Sequence, residues 1–194
     1  MKESFKIIVV LTLSALLSGA VLAWFNQFTE ARVIENRLAE LRKSLSEVVP
    51  GMTRYDDLVR ERNFALYKVW AGDSVAGYAV EAVGNGYQDK IRVLFGVAPD
   101  FSRIYALRVL DQKETPGLGA RITEPWYLKG WKNRAATLLV LVKGREATKS
   151  NEIQAITGAT ITSRAVVSIV NKGLVRAKKE LSNVLGNDSK GEAK

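Results

Sequence analysis

The chain passes through several hydropathy regimes in order. Residues 7–25 are almost wholly apolar and hold no charge, a run long enough to cross a bilayer as a helix. Between residues 29 and 49 the apolar positions thin to Ile34, Leu38, Leu41, Leu45 and Val48, spaced four-three-four-three. The remaining face carries Glu30, Glu35, Arg37, Glu40, Arg42, Lys43 and Glu47. This pattern predicts an amphipathic stalk helix over 29–50, ended by Pro50-Gly51, that packs on the domain or on a partner. It is too short for a sustained coiled coil.

From Phe64 the period shifts toward two. Segments 64–70, 75–83, 90–98 and 103–112 each read as strands. Ile91, Val93, Phe95 and Val97 alternate with Arg92, Leu94 and Gly96, and Ile104, Ala106, Arg108 and Leu110 alternate with Tyr105, Leu107 and Val109. Gly72-Asp73, Gly84-Asn85-Gly86 and Pro99-Asp100 punctuate them as turns. Short turns between successive strands predict an antiparallel meander, since parallel neighbours need a crossover helix. The fold class is therefore α+β: a transmembrane helix and stalk, then one domain over 51–185 with a mainly antiparallel sheet and flanking helices.

Beyond the meander, Thr123-Glu124-Pro125-Trp126 marks a short helix with Pro in its first turn. Trp126, Tyr127 and Trp131 cluster after it, as core packing or as flanks of a ligand. Segment 137–142 reads as a strand buried on both faces, and 153–156 as a short strand. Val167, Val170, Leu174, Ala177, Leu181 and Leu185 then mark one face of a helix. The polar tail 186–194 is expected to be disordered.

Directly before that helix stands Thr157-Gly158-Ala159-Thr160-Ile161-Thr162-Ser163. Four hydroxyls crowd this turn, and Thr162 or Ser163 is a natural N-cap. The helix start aims unpaired N–H groups and a partial positive charge at the turn, and Arg164 adds a full one. A phosphate would sit well there. An ordinary hydroxyl-capped helix start fits the same residues. The segment lacks the second glycine and lysine of a Walker loop. The other glycine-rich loop, Glu114-Thr115-Pro116-Gly117-Leu118-Gly119, follows the fourth strand. Its glycines let backbone approach a flat ligand closely, and its spacing is not the dinucleotide fingerprint. A plain connecting loop is the other reading.

Composition narrows the chemistry. The 194 residues allow one membrane segment and one ordinary domain, and the net charge of +9 suits an anionic cofactor or membrane surface. No basic run interleaved with aromatics points to nucleic acid, and no such partner is expected. There is no cysteine and no histidine. Disulfides, cysteine-held iron–sulfur clusters, the usual zinc sites and histidine-activated nucleophiles are thereby excluded. Electron transfer, if present, needs an organic cofactor or one held by a partner. The apolar run 7–25 has a second reading as a cleaved signal peptide, with Val21-Leu22-Ala23 offering a cleavage site, but its length favours a retained anchor. Lys2 and Lys6 precede it, and Arg32, Arg37, Arg42 and Lys43 follow, so charge alone leaves orientation open.

The string TGATITS at 157–163, together with Thr-Pro-Gly-Leu-Gly at 115–119, resembles the FMN-binding domain of the G subunit of the Rnf electron-transport complex. The C subunit of the sodium-pumping NADH:quinone oxidoreductase is a related, usually longer protein. The resemblance covers nearly the whole chain. It implies FMN joined through a phosphoester to Thr160, installed by a separate flavin transferase. It implies that Thr157, Gly158, Ala159, Thr162, Ser163 and Arg164 surround the attachment point. It further implies that Thr115, Gly117, Leu118 and Gly119 line the isoalloxazine ring, with Glu114 or Thr115 bonding its polar edge and Leu118 against its face. One position departs from the family pattern: Gln154 stands where an aspartate is usual, and the nearest acid is Glu152.

The function so implied is that of a membrane flavoprotein subunit. It would relay electrons within a complex that couples ferredoxin and NAD to Na+ or H+ movement. The N-terminus would be cytoplasmic and the FMN domain would lie on the outer face of a prokaryotic inner membrane. The other membrane subunits and the transferase are its expected partners. A tethered flavin suits a relay, because the cofactor stays put in every redox state and no side chain need act as acid or base. No catalytic residue and no metal site are expected. The alternatives are a non-redox, membrane-anchored assembly or anion-binding module, and the quinone-reductase C subunit.

Overall fold

A computed structural model describes residues 2–191, with side chains for residues 2, 5–25 and 38–184. They fall into two units, residues up to 43 and residues from 44 onward. The first unit lies within helix α1, Lys2–Val48, a span that includes both the predicted anchor and most of the predicted stalk. Its stretch Phe5–Phe25 is long and apolar enough to cross a membrane, with a mean hydropathy of 2.4. The apolar side chains there are exposed, as a lipid-facing helix requires. The side chain of Ile34 lies outside the described residues, and Leu38 is exposed.

The second unit starts at Ser44 rather than at 51, because Leu45, Val48 and Val49 are buried in it. Its frame is a six-stranded antiparallel sheet in sequence order: β1 Arg54–Glu61, β2 Phe64–Ala71, β3 Ser74–Asn85, β4 Lys90–Val97, β5 Arg103–Asp111 and β6 Arg134–Ala135. The four strands expected from alternation are β2 to β5. The charged edge strand β1 is an addition, because Arg54-Tyr55-Asp56-Asp57-Leu58-Val59-Arg60-Glu61 shows no clean alternation. It pairs with β2 through a register shift between Asp57 and Val59.

Both faces of the sheet are covered, and pleating decides which residue meets which cover. Phe64 and Leu66 of β2, Val80 and Ala82 of β3, and Ile91, Val93 and Phe95 of β4 share the face that carries helix α3, Thr160–Gly191. Val166, Ile169, Val170, Leu174 and Ala177 of α3 complete this core. The fit is close: a Cβ on Gly173 would lie 3.0 Å from Phe95 Cζ, and one on Gly84 would lie 2.5 Å from Ile169 Cγ1. The opposite face receives the end of α1, where the Val48 carbonyl sits so near Gly96 that a Cβ there would collide with it. Glu47 pairs with Arg108 beside this contact.

Between β5 and β6 lie a 3-10 turn, Gly119–Thr123, and helix α2, Pro125–Lys129, which begins on its proline as expected. Strand β7, Val140–Val142, runs parallel to β8, Glu152–Gln154. The expectation of one doubly buried strand over 137–142 is corrected here. Leu138 and Val140 are exposed, and the Leu139 backbone is held by the Asn171 side chain of α3, N–H to Oδ1 at 2.9 Å and C=O to Nδ2 at 3.0 Å. That side chain takes the place of a strand neighbour. The predicted strand 153–156 is shifted to Glu152–Gln154. Helix α3 runs on to Gly191 in the segment expected as a polar tail, and residues 192–194 lie outside the described residues. Gly186 weakens a helix by about 1 kcal/mol without ending it, and no proline follows.

Candidate functional site

The Ala159 carbonyl accepts the first helical bond of α3, from the Ser163 N–H at 2.9 Å. The helix therefore starts at Thr160, earlier than a cap at Thr162 or Ser163 would put it. Neither hydroxyl caps. Ser163 is fully buried, its Oγ accepting from the Ile156 N–H at 3.0 Å and donating to the Ala159 carbonyl at 2.9 Å. Thr162 is buried too, and donates to Glu114 Oε2 at 2.6 Å. Gly158, with φ +82°, supplies the left-handed step that turns the chain from β8 into the helix. A Cβ there would come within 3.2 Å of Leu118 Cδ2, so this turn and the 114–119 loop touch.

A cavity of about 380 Å³ opens where the two meet. Its walls are Gly158 to Thr162 on one side, Glu114, Thr115, Leu118 and Gly119 on another, and Tyr87 from the β3–β4 turn. Tyr87, Leu118 and Ile161 are large apolar side chains left exposed around it. Such a rim suits a flat apolar body, and the volume falls in the usual range for small-molecule sites. Tyr87 and Ile161 are not among the residues expected from sequence. Ile161 sits inside the TGATITS string, but Tyr87 is brought in only by the pairing of β3 with β4.

The four hydroxyls of the turn separate cleanly. Thr162 and Ser163 are buried and bonded, and Thr157 is exposed but does not line the cavity. Thr160 is half-buried, lines the cavity, and makes no side-chain hydrogen bond. The first N–H groups of α3 have no partners within the helix and carry its partial positive charge.

Glu114 is only 4 % exposed, and both its oxygens are in use. Oε1 accepts the backbone N–H groups of Tyr87 and Gln88 at 2.9 Å each, and Oε2 accepts the Thr162 hydroxyl. Thr115 donates to Gln88 Oε1 at 3.1 Å. Gly86 and Gly119 leave room for the Glu114 carboxylate, since a Cβ on either would collide with it.

Other expected residues lie elsewhere. Arg164 lines an adjoining groove of about 530 Å³ with Ser168 and Lys172, reached past Ile161. Gly117 shapes the loop with φ +72° but does not line the cavity. Tyr127 and Trp131 are buried in the core, and Trp126 bonds Glu124; none of the three lines the cavity at Thr160. Core packing is the observed use of Tyr127 and Trp131. Gln154 faces a separate small cavity beside Trp126 and Tyr127. Glu152 is locked by Arg145 through Oε1 at 2.7 Å and Oε2 at 2.8 Å, and by the Thr148 N–H at 3.0 Å. The Arg145 guanidinium, aided by the Thr148 and Lys149 N–H groups, holds its carboxyl down to about 2. Among the described residues no group of three acids could hold a metal ion.

The features of the cavity fit a flavin nucleotide. An unbonded hydroxyl, a helix N-terminus and an apolar rim all border it. Comparison with known proteins gives the family. The FMN-binding domain family matches residues 86–175, which include the Tyr87 turn, the 114–119 loop and the first half of α3. The chain is 32 % identical to the G subunit of the Na(+)-translocating ferredoxin:NAD(+) oxidoreductase complex of Acetobacterium woodii, over 89 % of this chain and 91 % of that one. It is 28 % identical to the G subunit of the proton-translocating ferredoxin:NAD(+) oxidoreductase complex of Clostridium ljungdahlii, over 91 % and 90 %. The crystal structure of NqrC from Shewanella oneidensis superposes with a TM-score of 0.57 at 23 % identity, covering 72 % of this chain and 73 % of that one, and so shares the fold. The chain belongs to the family of G subunits of ion-translocating ferredoxin:NAD(+) oxidoreductase complexes, the Rnf complexes.

Proposed function

We propose that this chain is the membrane-anchored flavoprotein subunit of such a complex, and that it relays electrons between neighbouring subunits through FMN joined to Thr160 by a phosphoester. The observation that carries this reading is the sorting of the hydroxyls. Thr160 alone in the turn both borders the cavity and keeps its oxygen unbonded. A diester at that oxygen retains one negative charge. The N-terminal end of α3 would favour that charge, and Arg164, one turn on, would add a full positive charge from the adjoining groove. The bound FMN supplies the redox chemistry; the chain supplies position and electrostatics.

Leu118, Tyr87 and Ile161 are the side chains that would cover the ring and keep water from it. The polar edge falls to Thr115 and to backbone, because Glu114 already commits both oxygens within the protein. The apolar stretch Phe5–Phe25 supports anchoring in the membrane. A cytoplasmic N-terminus with the FMN domain on the outer face is the topology proposed with it. Other membrane subunits would donate and accept the electrons, and a flavin transferase would install the cofactor.

The test is the intact mass of the full chain co-expressed with a flavin transferase, beside a Thr160→Val control. A gain equal to FMN minus water in the parent, absent from the control, is expected. A flavin spectrum without the gain would replace the tether by non-covalent binding. The absence of both gain and spectrum would remove the flavoprotein reading. The parent also tests Gln154, since a full gain means that no carboxylate is required at that position.

A further inference from the structure

Three buried or nearly buried acids stand out in the second unit, and they are treated differently. Glu81 is paired with Arg92, and Glu152 with Arg145. Glu114 has no ion pair among the described residues, although it is as deeply buried as Glu152. Its negative charge is met only by two close backbone N–H groups, a third at 3.5 Å from Asp89, and one hydroxyl. A buried charge without a counter-ion is costly and needs a reason.

Packing alone does not supply one. The carboxylate ties together the β3–β4 turn, the loop after β5 and the first turn of α3, which are the three walls of the cavity. A glutamine could make the same ties. Its Oε1 would accept from Tyr87 and Gln88, and its amide could donate to Thr162 once that hydroxyl turned round. The shape of the site therefore calls for an acceptor at 114, not for a charge. The charge acts on whatever the cavity holds. Electrons added to a ligand beside a fixed negative charge in a low-dielectric wall are disfavoured.

We propose that Glu114 is the positioning residue of the flavin cavity, fixing its three walls with one carboxylate and lowering the potential of the flavin by its charge. This rests on the reading of the cavity as the flavin site. It assigns Glu114 a role beneath the ring's surroundings rather than a bond to the ring.

The experiment uses the full chain and has two arms. In the first, the parent and Glu114→Gln are loaded with FMN by co-expression, and their midpoint potentials are titrated by flavin absorbance. The expected result, read on the molecules that carry the FMN mass, is a more positive potential in Glu114→Gln. About a tenfold easier reduction corresponds to about 30 mV for a two-electron couple. In the second, amide hydrogen exchange is followed at Tyr87 and Gln88 in the flavin-free Thr160→Val background. Exchange there should stay slow with Glu114→Gln and quicken more than tenfold with Glu114→Ala. An unmoved potential in the loaded Glu114→Gln protein overturns the proposal, and so does unmoved exchange in Glu114→Ala. Failure of the flavin reading would look different: the parent itself would gain no FMN mass, while the exchange arm would still report on the clasp.

Discussion

Helix α3 meets the rest of the protein in two unlike ways. Its middle is apolar and interlocked: Val166, Ile169, Val170, Leu174 and Ala177 face β3 and β4, with Gly84 and Gly173 allowing the closest contacts. Its first turn is held by polar bonds, from Thr162 to Glu114 and from Ser163 to the backbone at Ile156 and Ala159. Apolar packing is non-directional and consumes the whole face it covers. Hydrogen bonds hold a turn by a few atoms and leave others unengaged. Thr160 and Ile161 remain available because their neighbours, not they, carry the attachment.

The difference predicts where stability and function separate. The largest effect should come from the middle. Phe95 is fully buried, with Gly173 and Ala82 against the same space, so Phe95→Ala should cost about 3–5 kcal/mol in urea unfolding. A cost below about 1 kcal/mol would mean that the helix middle is no better fixed than its end.

Gly158→Ala sharpens the comparison from the other side. The position has φ +82°, and an L residue there is strained by about 1–2 kcal/mol. Because the turn also touches Leu118, the variant should take up less FMN per molecule than its modest loss of stability explains, read by intact mass. Equal uptake with the parent would show that the turn tolerates movement and that the site is not held as described.

Much of the helix middle and the meander is legible in the sequence, since periods of two and of three to four are properties of neighbouring residues. β1 is not, because its charged residues hide the alternation and only its pairing to β2 makes it a strand. The exposed segment around Leu138 misleads for the converse reason: an apolar run looks buried until Asn171, far along the chain, is seen to hold it open. At the site, the Thr160 string and the 114–119 loop are readable as motifs. Tyr87 and the clasp at Glu114 depend on contacts across 26 to 48 positions, which no local pattern encodes. The placement of Arg164 in the next groove is equally invisible.

The lead-in to the polar turn offers a pH test. The Glu152 carboxyl lies near 2 in the folded chain against an ordinary 4.5, mainly through Arg145. A depressed carboxylate stabilises the fold above its unfolded value, and that contribution is lost as pH falls through the folded one. The parent should therefore lose stability relative to Arg145→Ala between about pH 4.5 and 2, and the two should converge at the acid end of that window. Because Arg145 is half-exposed, the gap should shrink in salt. Parallel curves across the window would mean that the brace adds nothing to the turn it precedes.

The smallest effect on stability should be the sharpest statement of the contrast. Thr160→Val removes a hydroxyl that bonds nothing and lies half-exposed at the cavity, so unfolding should move by no more than about 0.5 kcal/mol. The same change should remove the FMN mass gain altogether. A buried residue of the helix middle cannot behave this way, since its side chain is part of the packing. If Thr160→Val destabilised the fold as a core truncation does, its oxygen would be structural and the separation of the two halves of α3 would collapse. If it leaves stability untouched and abolishes the tether, the first turn is a platform whose fixed points are Thr162 and Ser163, with Thr160 held ready beside them.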